Sequence, residues 1–219
     1  MLIDIYRCLL NFFGPQHWWP GESPFEVMIG AVLTQNTNWK NVERAIRNLR
    51  KSDLLDPYGL FEVTLDELEE LIQPAGYFRV KARRLHSLLE FFIGRYGGSV
   101  EAMSRTSLPD LRRELLAVYG IGPETADSIL LYAVGLPIFV VDAYTHRVFA
   151  RHGWINFDAD YHQIQDYVQG DLPQDVPMYN EFHALLVRVG KNYCRKTNPK
   201  CAECPLRELL PNGKPLEPD

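Results

Sequence analysis

The chain has 219 residues, 46% hydrophobic and 23% charged, which is enough apolar material for a substantial core in one or two domains. A net charge of −5 supplies no global attraction to nucleic acid, so any such contact has to rest on local patches. MLIDIYRCLLNFF is broken by Asp4 and Arg7 and lacks a basic leader, and no other apolar run is long enough to cross a bilayer, so the expectation is a soluble, cytoplasmic protein without a membrane partner.

In chain order the patterns are helical. ESPFEVMIGAVLTQNT begins with Ser23 as cap, Pro24 at the first helical position and Glu26 three residues on, a capping-box spacing, then runs apolar through Phe25, Ile29, Val32 and Leu33. Further helical spacing covers about 38–50, 65–73, 79–95, 108–118, 123–134, 142–151, 160–169 and 179–190. IFVV at 138–141, rich in β-branched residues, predicts an extended entry into the helix of DAYTHRVFAR. The Pro-rich tail PNGKPLEPD reads as disordered. Nothing alternates as a strand, and the class is all-α.

GIGPETADSIL, from 120 to 130, places two glycines one residue apart before a new helix. A Gly-x-Gly turn followed by an acid about 20 residues on, here Asp142, superficially matches a dinucleotide fingerprint, which requires a preceding strand and a third glycine. SLPDLRRELLAVY before it is helical instead, with Leu108, Leu111, Leu115 and Val118 in register. The turn therefore joins two helices. Taken by itself, it is either a strain-relieving connection or a place where backbone approaches a ligand.

Charge is sorted along the chain. From Arg188 to Arg207 six basic residues face the single acid Glu203, a balance of +5 that leaves −10 elsewhere. RVKARR at 79–84 is a second basic run. Each is a solvated face or a phosphate-binding patch. Three of the four cysteines, Cys194, Cys201 and Cys204, fall within eleven residues, a spacing that suggests metal chemistry in a reducing compartment.

The order SPFE…IGAVLTQNT, GYFRVKARRL, GIGPETAD, VVDAYTHRV and C-x6-C-x2-C resembles the helix-hairpin-helix DNA glycosylases related to endonuclease III, over roughly residues 20–207. The resemblance implies a six-helix barrel domain at 22–136 and a helical domain built from 1–21 and 137–219, the latter carrying the cysteine-rich loop. It implies a base-excision glycosylase, a monomer acting on double-stranded DNA with a damaged base. Gly120, Ile121, Gly122 and Thr125 would present the hairpin to phosphate, with Lys81 and Lys191 as basic contacts and Gln35 and Tyr77 as wedges in the duplex. Asp142 would stabilise the oxocarbenium-like sugar, and it also suits a helix N-cap.

Relatives that also nick the strand carry a Schiff-base lysine four residues after the first glycine, where this chain has Glu124. That points to a monofunctional enzyme. HWWP, with Trp18, Trp19 and Pro20, is similar to the 3-methyladenine glycosylases of the superfamily. Indole stacking would favour a cationic alkylated purine by about 0.5–2 kcal/mol, and the alternative is that the tryptophans pack a domain junction. Cys194, Cys201 and Cys204 match three ligands of a [4Fe–4S] loop, with Leu210 at the fourth place and Cys8 as a candidate replacement or a plain buried thiol. Still open are a bifunctional pyrimidine-damage glycosylase and lyase, a mismatch thymine glycosylase and a non-catalytic damaged-DNA-binding module.

Overall fold

The computed structural model describes residues 1–218 and divides into two compact units. The central unit is Trp19–Leu136; the terminal unit joins Met1–Trp18 to the chain from Pro137 onward. The boundaries thus fall at 18/19 and 136/137. Among the described residues there is no strand.

The central unit starts with α2 (Pro24–Leu33), following α1 (Leu2–Phe13) of the terminal unit. Residues Phe25 through Leu33 are all buried, and apart from Glu26 they are apolar or glycine, so α2 is packed on every side within the unit. Ser23 Oγ accepts from Glu26 N at 3.1 Å, as its spacing suggests. The Glu26 carboxylate does not close a capping box. It meets Arg50 Nη2 at 2.7 Å, because a buried carboxylate gains more from a guanidinium than from one backbone amide. Arg50 belongs to α3 (Trp39–Lys51), which Asn38 caps.

Two short helices escaped the periodic reading. These are α4 (Pro57–Glu62) and α7 (Val100–Ser104), each too short to complete two turns. Between them lie α5 (Leu65–Ile72), started by a complete Thr64/Glu67 capping box, and α6 (Phe78–Tyr96). α8 (Leu108–Ala117), capped by Ser107, leads through the glycine turn into α9 (Pro123–Ser128). α9 continues as a π-type segment, Ile129–Val134, that Gly135 ends at φ 78°.

In the terminal unit, residues 138–141 are extended and buried, and they deliver the chain to α10 (Ala143–Arg151). α11 (Tyr161–Asp171) follows, capped by Asp160, and then α12 (Val176–Asn192), capped by Asp175. Phe139, Phe149, Tyr179 and Phe182 form the core between α10 and α12. The two helices come close at Gly190, whose absent side chain leaves room for the Tyr144 ring.

The tail is not disordered over its described length. Leu216 N–H donates to Arg151 O at 2.9 Å, Glu217 meets Arg151 Nη2 at 3.3 Å, and Leu210 is buried. Leu216 itself is exposed, so what ties this segment down is its polar contacts with Arg151, which composition does not show. Its last residue, Asp219, lies outside the described residues.

Candidate active site

Asp142 is the N-cap of α10: its Oδ1 accepts from Thr145 N at 2.7 Å. Its side chain is 13% exposed, and His183 Nε2 on α12 stands 3.7 Å from Oδ2. Burial pushes the carboxyl pKa up, but His183 and the Thr145 N–H outweigh it and leave the group below its ordinary value. An anion is thus held where one face of the carboxylate still reaches solvent. His183 had no motif to announce it; its only signal was a histidine within the buried run of α12, flanked by Tyr179, Phe182 and Leu186.

In the central unit the glycine turn has an internal brace. Gly120 has φ +79° and sits against the Arg84 side chain, so a Cβ there would be strained and would collide. Gly122 has φ −93° and nothing within 4 Å of a Cβ position, so no conformational demand keeps it a glycine. Ile121 is 5% exposed, so its side chain anchors the turn in the interior. Gln35 Nε2 donates to Gly120 O at 3.0 Å and to Thr125 Oγ1 at 2.9 Å, while its Oε1 accepts from Arg84 Nη1. Gln35 was expected as a duplex wedge and Thr125 as a phosphate contact. Both side chains are instead engaged in holding the turn, and Thr125 is buried.

Lys81 also differs from its expected role. It is 1% exposed, with Nζ donating to Leu33 O at 2.9 Å and Ala75 O at 2.7 Å, so it caps the C-terminal end of α2 instead of meeting phosphate. Burial, and then the neighbouring Arg84 charge, bring its pKa down to about 8. Tyr77 fits an outward role: it is 72% exposed and holds φ 47°, a conformation unusual for a residue with a side chain. Glu124 is exposed in the first turn of α9. Its neighbour Asp127 is fully buried on an ion pair with Arg112, at 2.7 and 3.1 Å.

In HWWP the unit boundary runs between Trp18 and Trp19, and each is described within its own unit. Trp19 packs edge-on to Trp39, with ring centres 5.1 Å apart, and tilted on Tyr132 at the same distance; Pro20 is exposed. Trp39 and Tyr132 were not anticipated, because aromatic spacing along the chain does not show which rings meet. Trp18 lies under the ammonium of Lys191, 5.9 Å from the ring centre, so one cation already occupies a face of that indole.

Cys194, Cys201 and Cys204 line one small cavity of about 10 Å³ together with Arg151, His152, Tyr193, Leu210 and Pro215. Burial pushes the Cys201 thiol pKa up and takes that of Cys204 to about 11. Cys8 is exposed, not buried, with its Sγ 3.7 Å from Pro205 O, and it does not line the cavity. Among the described residues no three His, Cys, Asp or Glu side chains are grouped to hold a metal ion. A cubane cluster needs four ligands. Three thiols line the cavity and Leu210 holds the fourth place of the loop, so the loop by itself supplies three of the four ligands. The loop is held by α10: Arg147 donates to Cys194 O at 2.7 Å and Gly190 O at 3.1 Å, and Arg151 to Arg195 O at 2.6 Å and Lys196 O at 3.2 Å.

A glycine turn opening one helix and a buried carboxylate opening another, on an all-helical two-unit chain, define a helix-hairpin-helix base-excision protein. Residues 29–174 match the family described as HhH-GPD superfamily base excision DNA repair protein, and the chain belongs to that family. It is a DNA repair glycosylase of that family. A Methanocaldococcus jannaschii protein whose name places it among DNA repair glycosylases, MJ1434, is 49% identical over 211 residues, covering 95% of each chain. Endonuclease III of Thermotoga maritima is 30% identical over 207 residues, 94% of this chain and 91% of that one. Among solved structures, a non-covalent endonuclease III–DNA complex aligns with TM-score 0.82 at 25% identity, covering 97% of this chain and 94% of that one. The H. pylori 3-methyladenine DNA glycosylase MagIII bound to 1,N6-ethenoadenine aligns with TM-score 0.75 at 28% identity, covering 86% and 96%. Among the described residues no helix is long and apolar enough to cross a membrane.

Proposed function

We propose that this chain is a monofunctional glycosylase that hydrolyses the N-glycosidic bond of alkylated purines such as 3-methyladenine in double-stranded DNA and leaves an abasic site. The observation that carries the absence of lyase chemistry is Glu124, exposed in the first turn of α9 where the family resemblance places an attacking amine. The amine of Lys81, also in the central unit, is committed to two carbonyls in the interior. A carboxylate cannot form an imine with the sugar. The likeness to a 3-methyladenine glycosylase supports the base class, as does an aromatic cluster of Trp19, Trp39 and Tyr132.

The chemistry then falls to Asp142. As the glycosidic bond breaks, positive charge builds on the sugar, and a fixed anion beside it lowers that barrier most where water is scarce. A 3-methylated adenine is cationic and already a good leaving group, so little acid assistance is needed. Backbone amides around Gly122 suit phosphate, because nothing crowds that position. Exposed Tyr77 suits the gap left by an extruded base.

The test is a panel of duplexes, each with one lesion, scored for base release with and without later alkali, and with borohydride present during reaction. The expected result is release of alkylated purines, strand breaks only after alkali, and no trapped adduct. Efficient borohydride trapping would overturn the monofunctional assignment; release confined to oxidised pyrimidines would overturn the substrate class.

A further inference from the structure

The catalytic carboxylate assigned above has two oxygens, and the helix cap accounts for one. Oδ1 is fixed by Thr145 N at 2.7 Å. Thr145, through its N–H and its hydroxyl, holds the carboxylate from the helix side only, and a misplacement of about 1 Å is enough to cost about 100-fold in rate. Something has to orient Oδ2.

The group beside Oδ2 is the His183 imidazole, with Nε2 at 3.7 Å and its side chain 6% exposed. That distance lies beyond a hydrogen bond but within the range of an ion pair, and a shift of well under 1 Å would close it. The ring itself cannot swing away. Phe139 packs edge-on against it with centres 6.3 Å apart, and Phe182 and Ala184 beside it in α12 are buried. Phe139 lies three residues before Asp142 on the same extended segment, so one packed aromatic fixes both the histidine and the approach of the aspartate.

We propose that His183 is a positioning residue for base excision: its Nε2 fixes Oδ2 of Asp142 so that the carboxylate meets the reacting sugar in one orientation. This rests on the assignment of Asp142 as the reacting carboxylate. The histidine touches neither sugar nor base and acts through the aspartate.

The experiment compares wild type, Asp142→Asn, His183→Leu, His183→Asn and His183→Gln under enzyme excess, on whichever lesion duplex of the panel the wild type processes. It reads the single-turnover release rate, the dissociation constant for the same duplex and Tm. Gln carries an amide nitrogen close to where Nε2 stands, whereas Asn holds its amide too far back and Leu has none. The expected result is a release rate lowered about 10-fold to 100-fold by Leu and by Asn, DNA affinity within about twofold of wild type, and recovery to within about threefold by Gln. Asp142→Asn/His183→Leu should be no slower than Asp142→Asn, because the two groups act as one unit. Wild-type rates in folded His183→Asn or His183→Leu would overturn the proposal, as would a loss in Leu that Gln does not recover. If Asp142→Asn itself turned over normally, the assignment of Asp142 would fail first, and that outcome is read independently of the histidine variants.

Discussion

Asp142 caps α10 and is the proposed reacting carboxylate, two tasks that substitution can separate. Asn keeps an oxygen that can accept from Thr145 N, and Asn and Asp rank equally as N-caps, so Asp142→Asn should change stability by no more than about 0.5 kcal/mol. Ala removes the cap and should cost about 1 kcal/mol, which for a chain of this size lowers Tm by about 2–4 °C. Catalysis sorts the two differently. Asn is neutral, and losing one fixed charge from the developing sugar cation should cost about 3–4 kcal/mol, or 10²- to 10³-fold in single-turnover release, in Asn and Ala alike. The assay pairs calorimetry with rapid quench on a lesion duplex, with binding measured by anisotropy. The phosphate grip is untouched, so affinity should stay level. Near-normal turnover in Asp142→Asn would refute the catalytic role, and a Tm as low as that of the Ala variant would refute the cap.

Gly120→Ala should lower Tm through its φ of +79° and the Arg84 collision, whereas Gly122→Ala should leave Tm unchanged and weaken DNA binding for all sequences alike. Wild-type affinity in folded Gly122→Ala would remove the phosphate role of that position. Lys81 should leave a pH signature. Its folded pKa of about 8 lies below the ordinary value of 10.5, so the unfolded chain holds the extra proton between them and stability gains a term that rises with pH over that window. Chemical denaturation of wild type and Lys81→Met from pH 7 to 10 should show this rise in the difference between them. Met should also cost about 1–3 kcal/mol at pH 9 by stranding the Leu33 and Ala75 carbonyls; a pH-independent difference would mean that the lysine is not buried charged.

What the sequence made legible was whatever local rules decide. Pro24 after Ser23, the register of Leu108, Leu111 and Leu115, and the glycine turn before Pro123 each lie within a few residues of the structure they specify. Lys81 was misjudged because its partners are carbonyls of Leu33 and Ala75, and a basic run shows charge but not direction. Gln35 was misjudged for the same reason, its partners lying 85 and 90 residues on. The two glycines look alike in the sequence, yet only Gly120 has a backbone that demands one. His183 was invisible because its meaning depends on helix packing that brings it to Asp142.

The Gln35 and Arg84 brace has a kinetic consequence. The turn between α8 and α9 is braced within its own unit: Gln35 donates to Gly120 O and Thr125 Oγ1, and Arg84 donates to Gln35 Oε1. Its ordering entropy is therefore settled when the chain folds and does not recur at each encounter. A repair protein has to interrogate vast stretches of intact duplex for a rare lesion. On the phosphate role proposed for Gly122, a turn braced in this way would make each probe brief and identical, so that the time spent at a site would be set by the base found there.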